Sequence, residues 1–379
     1  MTASTSYASS GKTLLSLIAF VVIALAAPFL AQTLGGNYWV RVLDFALLYI
    51  MLALGLNIVV GFAGLLDLGY IAFYAVGAYL MALLGSPHLT SQFAALAHLF
   101  PDGMHLSFWM ILLVAGPVAA LFGALLGAPT LKLRGDYLAI VTLGFGEIIR
   151  IFMNNLDRPV NITNGPKGIT AVDSVKLFGL DFSKSHEIFG LKLTPVMMYY
   201  YLLIAMVIII VFVSLRLQHS RIGRAWVAIR EDETAAKAMG INTRNVKLLA
   251  FAMGAAFGGV SGAVFGAFQG FVSPESFVLW ESIYVLAIVV LGGMGHIPGV
   301  IMGGFLLVGF QELLREAATP VQKLLFGEVL IDAEVLRSLL FGLALVVVML
   351  YRPSGLWPAP RREDRPVTYP APPPGPGPT

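Results

Sequence analysis

Long stretches without a charged side chain dominate the chain. Windows free of Asp, Glu, Lys and Arg cover residues 13–40, 45–66, 68–101, 103–131, 193–215 and 248–274. Each exceeds the roughly 20 residues that a helix needs to cross a bilayer, whereas a helix in a soluble core needs only about 10–14. The pattern predicts helices near 14–34, 45–66, 68–85, 106–131, 137–151, 194–215, 248–271, 277–291, 299–314 and 334–351. We therefore expect an all-α, polytopic bundle of about ten membrane-spanning helices.

Two of these helices are open to other interpretations, so the expected count ranges from eight to ten. The helix at 137–151 is short and carries Glu147 and Arg150 near its end, which also suits a re-entrant segment. The stretch 281–312 contains the glycine-rich, helix-breaking run 292–299, which favours two short helices joined by a tight turn over one long helix.

Composition agrees with a membrane protein. Of the 379 residues, 58% are hydrophobic and only 12% are charged, far from the balance of a soluble domain. No cysteine is present, which excludes disulfides and thiolate metal sites. The net charge of +3 is small and the basic residues are spread over several loops, so nucleic-acid binding has no support.

The distribution of basic residues predicts the topology. With the N-terminus in the cytoplasm, 14 of the 24 Lys and Arg residues lie on the cytoplasmic side, in agreement with the positive-inside rule. Both termini are then cytoplasmic. The expected parts are a cytoplasmic N-terminal extension (1–13), a permease domain (14–351) with an external loop (152–193) and a cytoplasmic loop (216–247), and a disordered Pro-rich tail (352–379).

The first apolar stretch is long enough to span a membrane, although its start also resembles a signal peptide. Pro28 directly follows the small-residue site at Ala26 and Ala27, where cleavage would be disfavoured. We expect this helix to be retained.

The cytoplasmic loop is predicted to contain a short helix of its own. Its acidic residues 231–233 would form the first turn, where negative side chains stabilise the helix by interacting with the positive end of its dipole. Lys237 follows Glu233 by four residues, the better order for an ion pair. Gly240 would end the helix.

A helix of about ten residues is unstable alone in water, so it must be held by packing. We expect that packing through Trp226, Ile229, Ala236 and Met239, with the small side chain of Ala235 permitting close approach to a partner. The pattern suits a docking site for a soluble partner that passes its movement into the membrane. An interfacial helix on lipid headgroups is the alternative, although the acidic face makes anionic lipid a poor partner.

Glycines recur every four residues in the helix that follows. A four-residue period on a helix of 3.6 residues per turn forms one ridge, along which a second backbone can pack closely. We expect helix packing without a substrate role for Gly254, Gly258, Gly262, Gly266 and Gly270.

Few polar residues lie at membrane depth, and such residues are functional candidates because lipid exposure is costly. We take Asn57, Glu147 and Gln269 as candidates for a translocation path, with Glu147 paired to Arg150, while Glu281 is a further buried acid. Phosphate-loop and nucleophile-elbow patterns are incomplete, and the histidines lack ligand spacing. The sequence therefore predicts neither catalytic residues nor a metal site, and the chain is not expected to be an enzyme.

Five motifs resemble a known family over about residues 40–357. The chain resembles the LivM family, the permease subunits of bacterial branched-chain amino acid ABC importers. The resemblance is carried by the runs Gly55 to Tyr70, Leu133 to Gly144, Asn161 to Pro166, Gly223 to Glu233 and Gly292 to Gly295. The cytoplasmic loop is similar to the coupling loop of ABC importer permeases. Thr234 between the acid and the alanines departs from the strict pattern, so the register on a partner stays open.

The resemblance implies that the coupling residues contact a soluble ATPase. They are Arg230, Glu231, Asp232, Glu233, Ala235, Ala236, Lys237, Met239 and Gly240. It also implies a heteromeric complex in the bacterial inner membrane with a second, LivH-like permease subunit, two ATP-binding subunits and a periplasmic amino-acid-binding protein. ATP-Mg would be used by the ATP-binding subunits, and this chain would bind no cofactor itself.

The expected function is therefore that of the transmembrane subunit of an ATP-driven importer for branched-chain amino acids. A urea or amide permease of the same ABC family is the alternative substrate reading. A secondary transporter or channel would instead use Glu147 or Glu281 as a coupling residue, and a receptor module would show no flux. Substrate choice is expected to lie in the separate binding protein, because the sequence offers no strong fixed-charge pocket.

Overall fold

The computed structural model describes residues 6–131, 133, 135–177, 179–188, 190–326, 332–352 and 355–357. The α-helices in these residues are α1 (Ser6–Asn57), α2 (Ile71–Leu84), α3 (His88–Gln92), α4 (Ala94–Leu99), α5 (Phe108–Thr130), α6 (Asp136–Asn155), α7 (Pro195–Gln218), α8 (Arg221–Glu231), α9 (Glu233–Ala238), α10 (Thr243–Gln269), α11 (Leu279–Gly292), α12 (Ile297–Phe326) and α13 (Ala333–Tyr351). The short strands are β1 (Ile169–Thr170), β2 (Lys176–Leu177), β3 (Leu180–Asp181), β4 (His186–Ile188), β5 (Leu191–Leu193) and β6 (Phe271–Val272).

Each of the ten predicted membrane helices has a counterpart. Helix α1 supplies two of them, because Gly35 (φ −154°, ψ 23°) and Gly36 (φ 70°, ψ −161°) leave helical geometry and divide it. The other eight are α2, α5, α6, α7 and α10 to α13. Six helical segments of the described chain are long and apolar enough to cross a membrane: Gly35–Phe62, Phe108–Thr130, Pro195–Gln218, Thr243–Gln269, Ile297–Pro320 and Glu334–Tyr351. The chain is a multi-pass, all-α bundle.

One of the two open helix assignments is settled by the structure. Helix α6 is regular over 20 residues and extends beyond the predicted 137–151, but it is not among the segments that are long and apolar enough to cross a membrane. Its assignment as a spanning helix stays a prediction. The run 292–299 separates α11 from α12, and Gly293 (φ 110°) and Gly295 (φ 83°) adopt conformations that favour glycine in the turn between them. The prediction of two helices here is confirmed.

Helix α10 lies at the centre of the bundle, and its glycines permit this position. A Cβ at Gly254 would overlap the side chain of Val59, directly after α1, and a Cβ at Gly262 would overlap backbone atoms of α2, so no larger residue fits at the existing helix separation. On another face of α10, Gly259 lies against Ala115 and Ala119 of α5. The predicted ridge of close backbone contact is therefore present at Gly254, Gly258, Gly262 and Gly266.

Gly270 does not belong to that ridge, contrary to the expectation. It is the left-handed C-cap of α10 (φ 67°), and no atom lies within 4 Å of the position that its Cβ would occupy. The four-residue spacing of glycines therefore extends one position beyond the end of α10. At that position glycine permits the left-handed conformation that ends the helix and makes no close packing contact.

The predicted external loop folds into short β elements. Strands β2 and β3 form one hairpin, β4 and β5 form a second, and β1 pairs with β6 directly after α10. Asp181 stabilises the first hairpin by accepting hydrogen bonds from the Ser174 hydroxyl and from the Ser183 amide and hydroxyl, which lower the pKa of Asp181 to about 2. The Pro-rich tail lies outside the described residues except for 352 and 355–357.

Candidate functional site

The predicted partner-docking loop forms two consecutive helices, α8 and α9, between α7 and α10. Ser220 caps α8 by accepting the Gly223 amide at 3.1 Å. Asp232 ends α8 in an extended conformation (φ −154°, ψ 110°) and caps α9 by accepting the amides of Thr234 at 2.7 Å and Ala235 at 3.0 Å. Both caps satisfy amides that the helix itself leaves unpaired. We call residues 221–240 the coupling segment.

This arrangement corrects the predicted helix boundaries. Glu231 is the last residue of α8 instead of the first of a new helix, and Asp232 lies between the two helices. Only Glu233 occupies the acidic first turn of α9. The reason is that a short carboxylate such as Asp competes for backbone amides and favours the cap over the helix interior. Gly240 follows α9 in a left-handed conformation (φ 82°), as predicted.

Three of the four residues expected to anchor the segment are buried. Trp226 is completely buried, and its indole N–H donates to the Val246 carbonyl at 2.8 Å. Ile229 and Ala236 are buried as well. Met239 is instead 84% exposed, so its assignment to the packed face was wrong. It lies after the end of α9, where the helical spacing on which that assignment depended no longer applies.

Glu233 joins α9 to the start of α10. Its carboxylate accepts hydrogen bonds from Lys247 at 2.7 Å and from the Thr243 hydroxyl at 3.3 Å, and it forms the predicted ion pair with Lys237 at 3.1 Å. The Lys247 side chain is only 10% exposed. The hydrogen bond from Lys247 is the main cause that lowers the pKa of Glu233 to about 2, so the carboxylate is ionised at neutral pH.

Arg230 joins the coupling segment to the membrane bundle. Its guanidinium donates to the Gly61 carbonyl at 2.5 Å, in the single π-helical turn Ile58–Phe62 that follows α1. Gly64 and Gly295 border the same arginine, since a Cβ on either would approach Arg230 to 2.7 and 3.1 Å respectively. Three of the sequence motifs therefore meet at one side chain.

Asn57 extends this connection to the turn between α11 and α12. It is buried, and its side-chain oxygen accepts the Gly295 amide at 2.8 Å. The end of α1 is thus bonded both to the coupling segment and to the α11–α12 turn. Asn57 has a structural partner here, although it was expected on the translocation path.

The other two translocation-path candidates lie elsewhere in the bundle. Glu147 on α6 pairs with Arg150 at 2.9 Å, as expected from their spacing. Gln269, at the end of α10, accepts a hydrogen bond from Arg41 of α1 at 2.5 Å. The three candidates stand on three different helices and bind different partners. Their proposed role in translocation remains a prediction.

Some contacts in this region were missed by the sequence analysis. Arg230 was assigned to the coupling residues, but its hydrogen bond to the Gly61 carbonyl was not foreseen. Arg230 follows the buried Trp226 by four residues, a spacing that places both on one side of α8. Lys247 gave no comparable signal, because it meets Glu233 across a helix boundary. Asp44 was omitted from the polar residues at membrane depth, yet it is fully buried in α1 and neither of its oxygens has a hydrogen-bond partner among the described residues.

One side of the coupling segment is left exposed. Ala235, Lys237, Ala238 and Met239 are exposed together with the acidic residues Glu231 and Asp232. This surface combines the exposed Met239 side chain with small alanines and is bordered by side chains of both charges. Small and flexible apolar residues of this kind suit a contact that must form closely and still adapt.

Comparison with known proteins agrees with the motifs. Residues 38–349 match the family described as branched-chain amino acid transport system / permease component. The chain is 44% identical over 365 residues to the high-affinity branched-chain amino acid transport system permease protein LivM of Escherichia coli (strain K12), covering 93% of this chain and 77% of that protein.

A second permease protein of the same kind of system is also similar. LivH of Salmonella typhimurium is 27% identical over 314 residues, covering 81% of this chain and 90% of that protein. The permease protein BraD of Pseudomonas aeruginosa is 34% identical over 144 residues, 38% of this chain and 42% of that protein. No solved structure matches. The family match covers most of the chain, and the chain belongs to the family of permease components of branched-chain amino acid transport systems.

Proposed function

We propose that this chain is a transmembrane subunit of an ATP-driven importer that moves branched-chain, apolar amino acids across a bacterial inner membrane. Its family membership supports transport of this substrate class and gives no support to the urea alternative. The chain conducts the substrate, while separate subunits hydrolyse ATP-Mg. A periplasmic binding protein delivers the amino acid, and both termini of this chain face the cytoplasm.

A second permease subunit completes the path in this proposal. The chain is similar along most of its length to two different permease proteins, LivM and LivH, whose names assign them to high-affinity branched-chain amino acid transport. Two related permease chains are suited to form two halves of one pathway. The partner is accordingly a LivH-like chain.

The observation that carries the proposal is the construction of the coupling segment. It is capped at both helix starts, anchored through buried Trp226, clamped to α10 by Glu233 and bonded to α1 by Arg230. An external force on its exposed side is therefore transmitted to two membrane helices instead of bending a loose loop. Docking by an ATPase on that side would convert nucleotide-driven closure into helix movement.

Reconstitution of the whole complex in liposomes tests the function. Leucine uptake should require ATP inside the vesicles and should stop when a non-hydrolysable ATP analogue replaces it. Uptake driven by an ion gradient in vesicles that lack the ATP-binding subunits would overturn the proposal, as would a complete absence of flux.

A cross-linking experiment tests the docking surface separately. Because the chain contains no cysteine, Met239→Cys introduces one thiol on the exposed side of the coupling segment, which can carry a photoactivatable maleimide reagent. We expect cross-links to an ATP-binding subunit. The matched control is Glu275→Cys, which places the thiol at an exposed position between β6 and α11. Cross-links from position 275 but not from 239 would show that the assigned surface is wrong.

A further inference from the structure

A cavity of about 570 Å³ opens among α1, α11, α12 and α13. Its volume lies within the range of roughly 300–1,000 Å³ that is usual for small-molecule sites. Its wall includes Tyr49, Glu281, Tyr284, Glu312, Arg337 and Phe341. Several of these residues are ionisable, so the expectation that the chain lacks a fixed-charge pocket was wrong. The sequence could not show it, because the residues come from four separated helices.

Among the described residues, Glu281 is the carboxylate of this cavity that has no cationic partner. Within the same residues it accepts one hydrogen bond, from the neutral hydroxyl of Tyr49 at 2.7 Å. Glu312 differs, because it accepts the Tyr38 hydroxyl and lies 3.7 Å from the Arg315 guanidinium. A carboxylate has room for several donors. Glu281 is thus the group in this cavity that is best suited to receive an ammonium group.

A guanidinium stands on the opposite helix. Arg337 contacts Glu334 at 3.2 Å, but the Glu334 side chain is 78% exposed, so this pair is weakened by water. A guanidinium carries five N–H donors, and most of those of Arg337 stay available for an incoming carboxylate. Glu281, Tyr284 and Arg337 all line this cavity, so the two opposite charges and an aromatic ring border one space.

Part of the cavity lining is apolar and aromatic. The rings of Tyr49 and Tyr284 meet edge to face with centroids 4.8 Å apart, and Phe341 lies 5.8 Å from Tyr284. Valine side chains at positions 42 and 308 complete this wall. Such a surface accepts a branched aliphatic side chain without requiring any hydrogen bond.

We propose that this cavity binds an amino acid zwitterion with an apolar side chain, as a station on the transport path. Glu281 receives the ammonium group, Arg337 receives the carboxylate, and the aromatic wall receives the side chain. The inference rests on the proposed import function and adds a binding site in this subunit. A molecule with only one of the two charges leaves either Glu281 or Arg337 without its counterpart and binds more weakly.

This chain has no native cysteine, which permits a direct binding test in the complete complex when labelling is measured on this chain. Ser338 lines the cavity, so Ser338→Cys places one thiol there, and its rate of reaction with a water-soluble maleimide reports occupancy. We expect leucine to slow the labelling. Neither 3-methylbutylamine, which lacks the carboxylate, nor 4-methylpentanoate, which lacks the ammonium group, should protect at the same concentration. Gln311→Cys provides a second reporter on another cavity wall.

Two variants make the test specific. Glu281→Gln in the reporter background should raise the leucine concentration for half-protection by about tenfold or more, because one charge-assisted hydrogen bond is lost. Glu275→Gln removes an exposed acid outside the cavity and should leave half-protection unchanged. The thiol of Glu275→Cys should be labelled at the same rate with and without leucine.

The outcomes separate this inference from the proposed function. If ATP-driven leucine uptake occurs but leucine protects neither reporter, the cavity is not a substrate site, although the transport function stands. Labelling that changes with the phosphatidylethanolamine content of the vesicles and not with leucine would assign the cavity to a lipid headgroup and would also overturn the inference. Absence of ATP-driven uptake in the unmodified complex would instead refute the proposed function.

Discussion

Neutralising Glu233 should loosen the coupling segment without unfolding the protein. Glu233→Gln keeps the size of the side chain and one accepting oxygen but removes the negative charge that faces Lys247 and Lys237. Lys247 is then left with its charge largely buried and with no anionic partner among the residues that the structure describes. We expect α9 to separate from α10 more often, while the membrane helices stay assembled.

The magnitude follows from the two lysine contacts. In the variant one accepting oxygen remains, but each lysine ammonium loses the opposite charge, which should cost roughly 1 kcal/mol per contact. The Lys237 side chain is 52% exposed, so the loss from its contact is smaller because water screens the ion pair. The loss from the Lys247 contact is larger because this charge is buried. The local opening free energy should fall by about 2 kcal/mol, which corresponds to roughly 30-fold faster amide exchange.

Hydrogen exchange followed by mass spectrometry measures this quantity on a peptide that covers residues 233–240. The matched control is Glu231→Gln, which removes an exposed acid that has no hydrogen-bond or ion-pair partner among the described residues. The reasoning would be refuted if this peptide exchanged equally fast in Glu233→Gln and in Glu231→Gln.

The same variant should show a defined pH dependence. The pKa of Glu233 is lowered from 4.5 to about 2 in the folded protein, so its charge stabilises the folded form above the ordinary pKa and this contribution disappears as the pH falls through the lower value. The difference in opening free energy between wild type and Glu233→Gln should therefore be constant from pH 8 to about 5 and narrow only below about 4.5. If the difference in opening free energy already decreased between pH 7 and 5, the Glu233 carboxylate would not have the lowered pKa that its bonds to the two lysines imply.

Three further changes test the bundle and its link to the coupling segment. Gly262→Ala places a Cβ against the Tyr74 carbonyl oxygen and 2.8 Å from the Ala78 amide nitrogen, which should cost about 1–3 kcal/mol of stability. Gly309→Ala meets open space and should gain up to about 1 kcal/mol; thermal unfolding in detergent measures both. Arg230→Lys should lower the number of leucine molecules moved per ATP hydrolysed while hydrolysis continues, and the exposed Arg221→Ala should leave that ratio unchanged. Asn57→Ala leaves a buried amide unpaired and should lower stability by about 1–3 kcal/mol in the same unfolding assay.

The ten predicted membrane helices and their order could be read from the sequence, because long apolar stretches with few charges favour helices suited to a membrane. The turn at 292–299 was also predictable, since Gly293 and Gly295 occupy conformations that other residues avoid. Boundaries near charged residues were less accurate. The sequence pattern treated residues 231–233 as one acidic turn, whereas Asp232 prefers to cap a helix and splits the segment in two.

Contacts between distant segments were the part that the sequence did not reveal. The partnership of Glu233 with Lys247 depends on the angle between α9 and α10, and that of Asn57 with Gly295 joins residues 238 positions apart. The cavity depends on the packing of α1 against α11, α12 and α13. Periodicity along one helix describes which face is buried, but it does not name the side chain on the other side.

The second half of α1 connects the cavity to the coupling segment. Tyr49 lines the cavity, while Gly61, in the π-helical turn after the same helix, accepts the hydrogen bond of Arg230. The two points are about 18 Å apart at the helical rise of 1.5 Å per residue. Residues 50–63 are buried throughout, so this part of the helix cannot bend freely within its packed surroundings. If an amino acid in the cavity shifts α1, thermodynamic linkage requires that a partner docked on the coupling segment change the affinity for that amino acid by the same factor. The leucine concentration that half-protects the thiol of Ser338→Cys should therefore differ between complexes with and without bound ATP. Arg230→Lys should reduce that difference, because it weakens the contact at Gly61.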